Sequence, residues 1–135
     1  DKLQQLIDEK LIRGTFENGT EYAVIAAVMN LPKDLVRMIQ KFDFTQKNPK
    51  LIYINTSEGM ISQEDSILTA FLNLVGFDVV FFVPTGYQCV EKYFAKKVME
   101  EYQIGEYLYD LSIPNFDKIS VNARRSWKER IFGRR

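Results

Sequence analysis

Two short apolar runs separated by one amphipathic helix constrain this chain most. Leu51-Ile52-Tyr53-Ile54 and Val79-Val80-Phe81-Phe82-Val83 are rich in β-branched and aromatic residues and are bounded by Asn48-Pro49, Gly76 and Pro84-Thr85-Gly86. Such runs read as strands buried on both faces, at residues 50–55 and 78–83. Between them, Ile67, Leu68, Phe71, Leu72, Leu74 and Val75 form an apolar stripe over a helix at residues 63–75. Ser62 and Asp65 have the spacing of a capping box, and Gly76 suits the left-handed residue that closes a helix. A crossover of this length returns the chain in its starting direction, so the strands are expected to be adjacent, parallel and joined by a right-handed connection.

The flanking segments extend this unit. Leu3, Leu6, Ile7, Leu11 and Ile12 recur at helical spacing over residues 2–12, with Arg13-Gly14 as the stop. Residues 22–29 read as an apolar, Ala-rich helix that is buried or faces a missing neighbour. Pro32 opens a third helix over residues 33–42, with Leu35, Val36, Met38, Ile39 and Phe42 inward. Beyond the second strand, Thr85 and Gln88 repeat the capping-box spacing, and Phe94, Val98 and Met99 continue a helix inward from there. Alternation over residues 106–111 predicts a third, edge-like strand. The expected fold is α/β: a Rossmann-like three-layer unit with a small parallel sheet, preceded by about three helices. It is divided into a helical lead-in (1–48), a β-α-β-α-β core (49–111) and a basic tail (112–135), within one domain.

Composition excludes several kinds of chemistry. The 135 residues contain no histidine and one cysteine, Cys89. A Ser-His-Asp triad, a Cys/His zinc site and an internal disulfide are therefore excluded within them. The single thiol and the lack of a long apolar run point to the cytoplasm, with no membrane span. Charge is balanced overall but polarised: residues 1–117 hold 11 Lys+Arg against 17 Asp+Glu, and residues 118–135 hold 7 against 1. The chain starts inside a helical pattern without Met, and it reads as the C-terminal piece of a longer protein.

Candidate chemistry gathers where the two strands end, because ligands of open α/β sheets bind outside the carboxyl ends of strands. One loop offers Asn55, Thr56, Ser57 and Glu58; the other offers Thr85, Gly86 and Tyr87. A helix opening at Thr85 would direct unpaired N–H groups and a positive dipole end at an anion, and Gly86 would let that anion approach the backbone. No phosphate-loop or dinucleotide-binding glycine motif is present. Glu64-Asp65 is better explained by capping than by metal binding, and Cys89 by packing than by reactivity. Around Trp127, Arg124 to Phe132 reads as a short basic helix with Trp127 and Ile131 on one side. Solvation, or docking onto another domain of the same protein, accounts for it better than nucleic-acid binding does.

The run Asp65-Ser66-Ile67-Leu68-Thr69-Ala70-Phe71-Leu72-Asn73-Leu74-Val75-Gly76-Phe77-Asp78-Val79-Val80-Phe81-Phe82-Val83-Pro84-Thr85-Gly86-Tyr87 resembles the C-terminal part of the YceG-type family. Residues 49–55 and 105–111 fit the same pattern. The resemblance implies a setting rather than a mechanism: a bacterial factor of tellurite-resistance and general-stress operons, part of a "biosynthetic module", working beside TerD-like and TelA-like proteins. It supplies no catalytic residues, no metal and no known cofactor. Three functional expectations follow. The first is a domain that binds an anionic or nucleotide-like small molecule at the Asn55/Thr85 rim. The second is a non-catalytic domain that docks onto resistance partners. The third is half of a transferase whose catalytic residues lie elsewhere. An open polar cleft would favour the first, and an exposed apolar patch the second.

Overall fold

The computed structural model describes residues 1–56, 61–86 and 90–109. In chain order they form α1 (Lys2–Asp8), α2 (Thr20–Met29), α3 (Lys33–Lys41), β1 (Lys50–Ile54), α4 (Gln63–Val75) and β2 (Asp78–Phe82). The architecture is mixed α/β, with four helices and a two-stranded parallel sheet among the described residues. β1 and β2 pair directly, in the register Lys50↔Asp78 through Ile54↔Phe82. The expected β-α-β unit is therefore present. Asp78 N–H donates to the Pro49 carbonyl at 2.9 Å at one end of the ladder, and Asn55 N–H to the Phe82 carbonyl at 2.9 Å at the other. Asn48, Lys50 and Asp78 gather at the amino end, where Lys50 pairs with the Asp78 carboxylate.

α4 is defined by its ends. The Ser62 hydroxyl accepts from Asp65 N–H at 3.0 Å and donates to the Asp65 carboxylate at 2.7 Å. The acid thus returns to the capping hydroxyl itself, closing a compact variant of the capping box. At the other end Gly76 lies at φ +122°, and the Phe44 ring occupies the side where a Cβ would stand. Gly76 N–H and Phe77 N–H both donate to the Leu72 carbonyl, which would otherwise lack a partner.

α4 packs on the sheet, and α1 and α2 pack on α4. The core lies among the helices: Leu6, Ile7, Leu11, Ile12, Val24, Ile67, Ala70 and Phe94 cluster there. Phe71 was expected to bury against the sheet with Leu72. Leu72 is buried, but Phe71 is half-buried and packs on the helical cluster.

The helix expected over residues 2–12 ends early. Lys10 takes a left-handed φ of +49°, and Leu11 N–H reaches back to the Leu6 carbonyl. This is the hydrogen-bond pattern of a Schellman close. Leu11 and Ile12 then leave the helix and are buried beside it.

Their partner is the segment expected to be the last helix. Residues 90–99 are turn and extended chain, and Phe94 bridges Ile12 antiparallel. Arg13 N–H donates to the Tyr93 carbonyl and Ala95 N–H to the Leu11 carbonyl, both at 2.8 Å. Arg13 Nε adds a bond to the Phe94 carbonyl at 2.7 Å. The helical spacing of Phe94, Val98 and Met99 is overridden by this long-range pairing: Phe94 is buried, Met99 packs on the core and Val98 faces out.

The third strand is likewise absent over residues 106–109, which are exposed and unpaired except for Leu108 N–H on the Pro84 carbonyl at 2.8 Å. The rest of that run, the Pro114 turn and the basic helix at 124–132 lie outside the described residues.

The largest departure concerns the strands. They were expected to be buried on both faces, and only one face is covered. Tyr53 and Phe81 stack at 4.6 Å on the α4 side, where the Tyr53 hydroxyl accepts from Thr69 at 3.2 Å. On the opposite face Ile52, Ile54, Val80 and Phe82 are exposed. No described element lies across them, so a three-layer Rossmann-like arrangement is not what the described residues form.

Candidate functional site

Two features compete for function: the rim at the carboxyl ends of the strands, and the open face of the sheet. The register places Ile54 beside Phe82, so Asn55-Thr56 and Thr85-Gly86 leave the same end of the sheet. Asn55 and Thr56 are half-buried, whereas Thr85 is only 5% exposed. Ser57, Glu58 and Tyr87 lie outside the described residues, as does Cys89. Four of the seven expected rim residues are thus brought to one end of the fold.

The local geometry there is not a helix start. Gly86 N–H donates to the Val83 carbonyl at 3.1 Å, closing a turn with Pro84 and Thr85 at its centre. Proline at the second position and glycine at the fourth are the residues such a turn favours. The positive end of a helix dipole, which motivated the anion reading, is therefore not supplied by the described residues. Gly86 lies at φ +72°, but its open side faces the Tyr107 ring instead of solvent. Tyr107 and Leu108 cross the turn, held by the Leu108–Pro84 bond. Beneath them the Thr85 hydroxyl is buried without a hydrogen-bond partner. A buried hydroxyl in that state is costly, on the order of 1–3 kcal/mol.

The sheet face has a different character. Ile52 is 58% and Phe82 52% exposed, with Ile54 and Val80 beside them in the paired register. A second apolar surface lies on the far side of the helical core: Tyr22, Ile25 and Met29 share the outward side of α2 while Thr20 and Val24 point in. The apolar helix at residues 20–29 therefore has one buried side and one open side. Sequence reading did not single out the sheet face, because it assigned a second helix to cover it. The signal available was the lack of alternation in both strands, which marks a sheet that requires cover on each side.

Among the described residues no group of acidic or thiol side chains is arranged to hold a metal ion. None of their helices is long and apolar enough to cross a membrane.

No solved structure matches the chain. A similar protein in Bacillus subtilis (strain 168), "Uncharacterized protein YceG", is 37% identical over 65 residues, 47% of this chain and 12% of that protein. The chain thus spans far less than the length of this curated relative. The model of the YceG domain matches residues 1–129. Nearly the whole of the sequence is accounted for by that match, and the chain belongs to the YceG family.

Proposed function

We propose that this YceG-family chain is a non-catalytic docking module, whose open sheet face packs against another polypeptide surface. The observation that carries the reading is the set of four apolar side chains, Ile52, Ile54, Val80 and Phe82, on the uncovered side of a parallel sheet. Parallel strands are normally covered on both faces, and this sheet is covered on one. The setting is the one the family resemblance implies: a cytoplasmic role in bacterial stress response and tellurite resistance.

Cysteine labelling tests it. In a Cys89→Ser background, Ile52→Cys is compared with Ile104→Cys, which sits at a position 90% exposed. For protein made in the cell from its own gene, maleimide is expected to react at least ~10-fold more slowly at position 52, the effect of ~1.4 kcal/mol of protection. Equal rates would overturn the docking reading.

A second reading is favoured by Thr85, whose buried hydroxyl has no partner. Here Asn55, Thr56, Ser57, Glu58, Thr85, Gly86 and Tyr87 take an anionic or nucleotide-like small molecule once Tyr107 moves aside. Titration with phosphate and with nucleotides, followed by amide NMR, is expected to shift Asn55, Thr56, Thr85 and Gly86 together. Shifts scattered over the surface, or none, would remove this reading.

A further inference from the structure

We infer that the open sheet face is the seat of residues 118–135 of the same chain, docked through Trp127 and Ile131. The inference rests on the docking reading above and names the occupant.

Area argues against an occupant that must be recruited from solution. Four half-exposed side chains present roughly a few hundred Å², whereas a stable complex buries about 800 Å² on each partner. A tethered segment avoids most of the translational cost of association, so a small apolar face is sufficient for it.

Position supplies the second argument. The Leu108–Pro84 hydrogen bond brings the chain back to the turn that follows β2. Everything after Tyr109 therefore departs from beside Phe82, at the edge of the open face. Residues 109–117 can span up to ~30 Å when extended, and a five-residue strand is ~17 Å long. The tail begins within reach of every residue on that face.

Chemistry supplies the third. Trp127 and Ile131 are four residues apart, which places them on one side if the segment is helical, with Arg124, Lys128 and Arg135 among the charges available to face water. The segment holds 7 Lys+Arg against 1 Asp+Glu, and residues 1–117 have the opposite balance, 11 against 17. Long-range attraction therefore favours docking over release, and apolar contact with Ile52, Ile54, Val80 and Phe82 sets where the segment lies.

Trp127 is the sole tryptophan and so reports its own surroundings. In the whole 135-residue chain its emission is expected to be blue-shifted and shielded from acrylamide. Phe82→Asp is expected to move it to the red with far-UV circular dichroism unchanged, while Met29→Asp on the outward side of α2 leaves it where it was. A reciprocal variant does not depend on the sheet tolerating a charge. Ile131→Asp is expected to raise maleimide labelling at Ile52→Cys in the purified chain at least several-fold.

Solvent-like Trp127 emission in the unmodified chain overturns the inference. So does a blue-shifted emission that responds to Met29→Asp and not to Phe82→Asp, which would seat the tail on α2. Protection of position 52 in the cell but not in the purified chain also overturns it, while leaving the docking reading in place. Position 52 unprotected in both would remove the two together.

Discussion

Gly86 and Gly105 have nearly the same backbone, at φ +72° and +81°, but different surroundings. Around Gly105 nothing would meet an added Cβ, whereas at Gly86 the Tyr107 ring occupies that space. Gly105→Ala is expected to cost only the left-handed backbone penalty, ~1–2 kcal/mol. Gly86→Ala adds displacement of Tyr107 and loss of the Leu108–Pro84 bond, worth a further ~0.5–1.5 kcal/mol. Urea melts of the two variants, with hydrogen exchange at the Leu108 amide, compare them; equal losses would mean that Tyr107 does not bear on Gly86. At Asp43 the Thr45 hydroxyl, and then the Thr45 N–H, hold the carboxyl below its ordinary pKa. A depressed folded pKa stabilises above the unfolded pKa, and that contribution disappears as pH falls through the folded value. Thr45→Val is therefore expected to move the Asp43 titration upward toward the ordinary carboxylate range, as followed by NMR. An unmoved titration would assign the shift to the backbone alone.

At the scale of the element, α4 joins the sheet to the helical core and has both of its ends secured. Ser62→Ala removes the hydroxyl that caps Asp65 N–H, with an expected loss of ~0.5–2 kcal/mol. Leu72 is 1% exposed, and Leu72→Ala is expected to cost ~2–5 kcal/mol. Phe71 is only half-buried, so Phe71→Ala should fall at or below the low end of the ~3–5 kcal/mol of a core phenylalanine. Denaturant melts rank the three, and a Phe71 loss larger than that of Leu72 would mean that the stripe is rotated toward Phe71. α3 differs in kind. It has no buried residue, and no other named element comes within 8 Å of it between Cα atoms. Its tie to the fold runs through the rings of Phe42, Phe44 and Phe77, spaced 5.2 and 6.1 Å apart.

For the molecule as a whole, the packed part is α1, α2, α4 and the Ile12–Phe94 bridge, with apolar surface open on both sides of it. Hydrogen exchange is expected to be slowest in α4 and markedly faster in α3, because local opening of α3 exposes little that was buried. Protection of α3 equal to that of α4 would show that the molecule opens as one unit. Ile12 is 1% exposed and lies where the two ends of the described chain meet. Ile12→Ala is expected to cost ~2–5 kcal/mol and to release residues 93–95, visible as faster exchange at the Ala95 amide.

Local patterns alone determined the β-α-β unit. The capping spacing at Ser62, the glycine at 76 and the two β-branched runs each act within a few residues, and their effects agree. They also placed Asn55 and Thr85 at one rim, because parallel pairing follows from the crossover. Tertiary structure decided the rest. Residues 90–99 have helical spacing, but pairing with Leu11-Ile12-Arg13, some 80 positions away, satisfies their backbone and buries Phe94. That exchange removed the predicted second helix from the far side of the sheet. An apolar strand has the same sequence whether one face or two are covered, because the cover is supplied by other parts of a polypeptide. The open face of Ile52, Ile54, Val80 and Phe82 was therefore decided by where the remaining elements went.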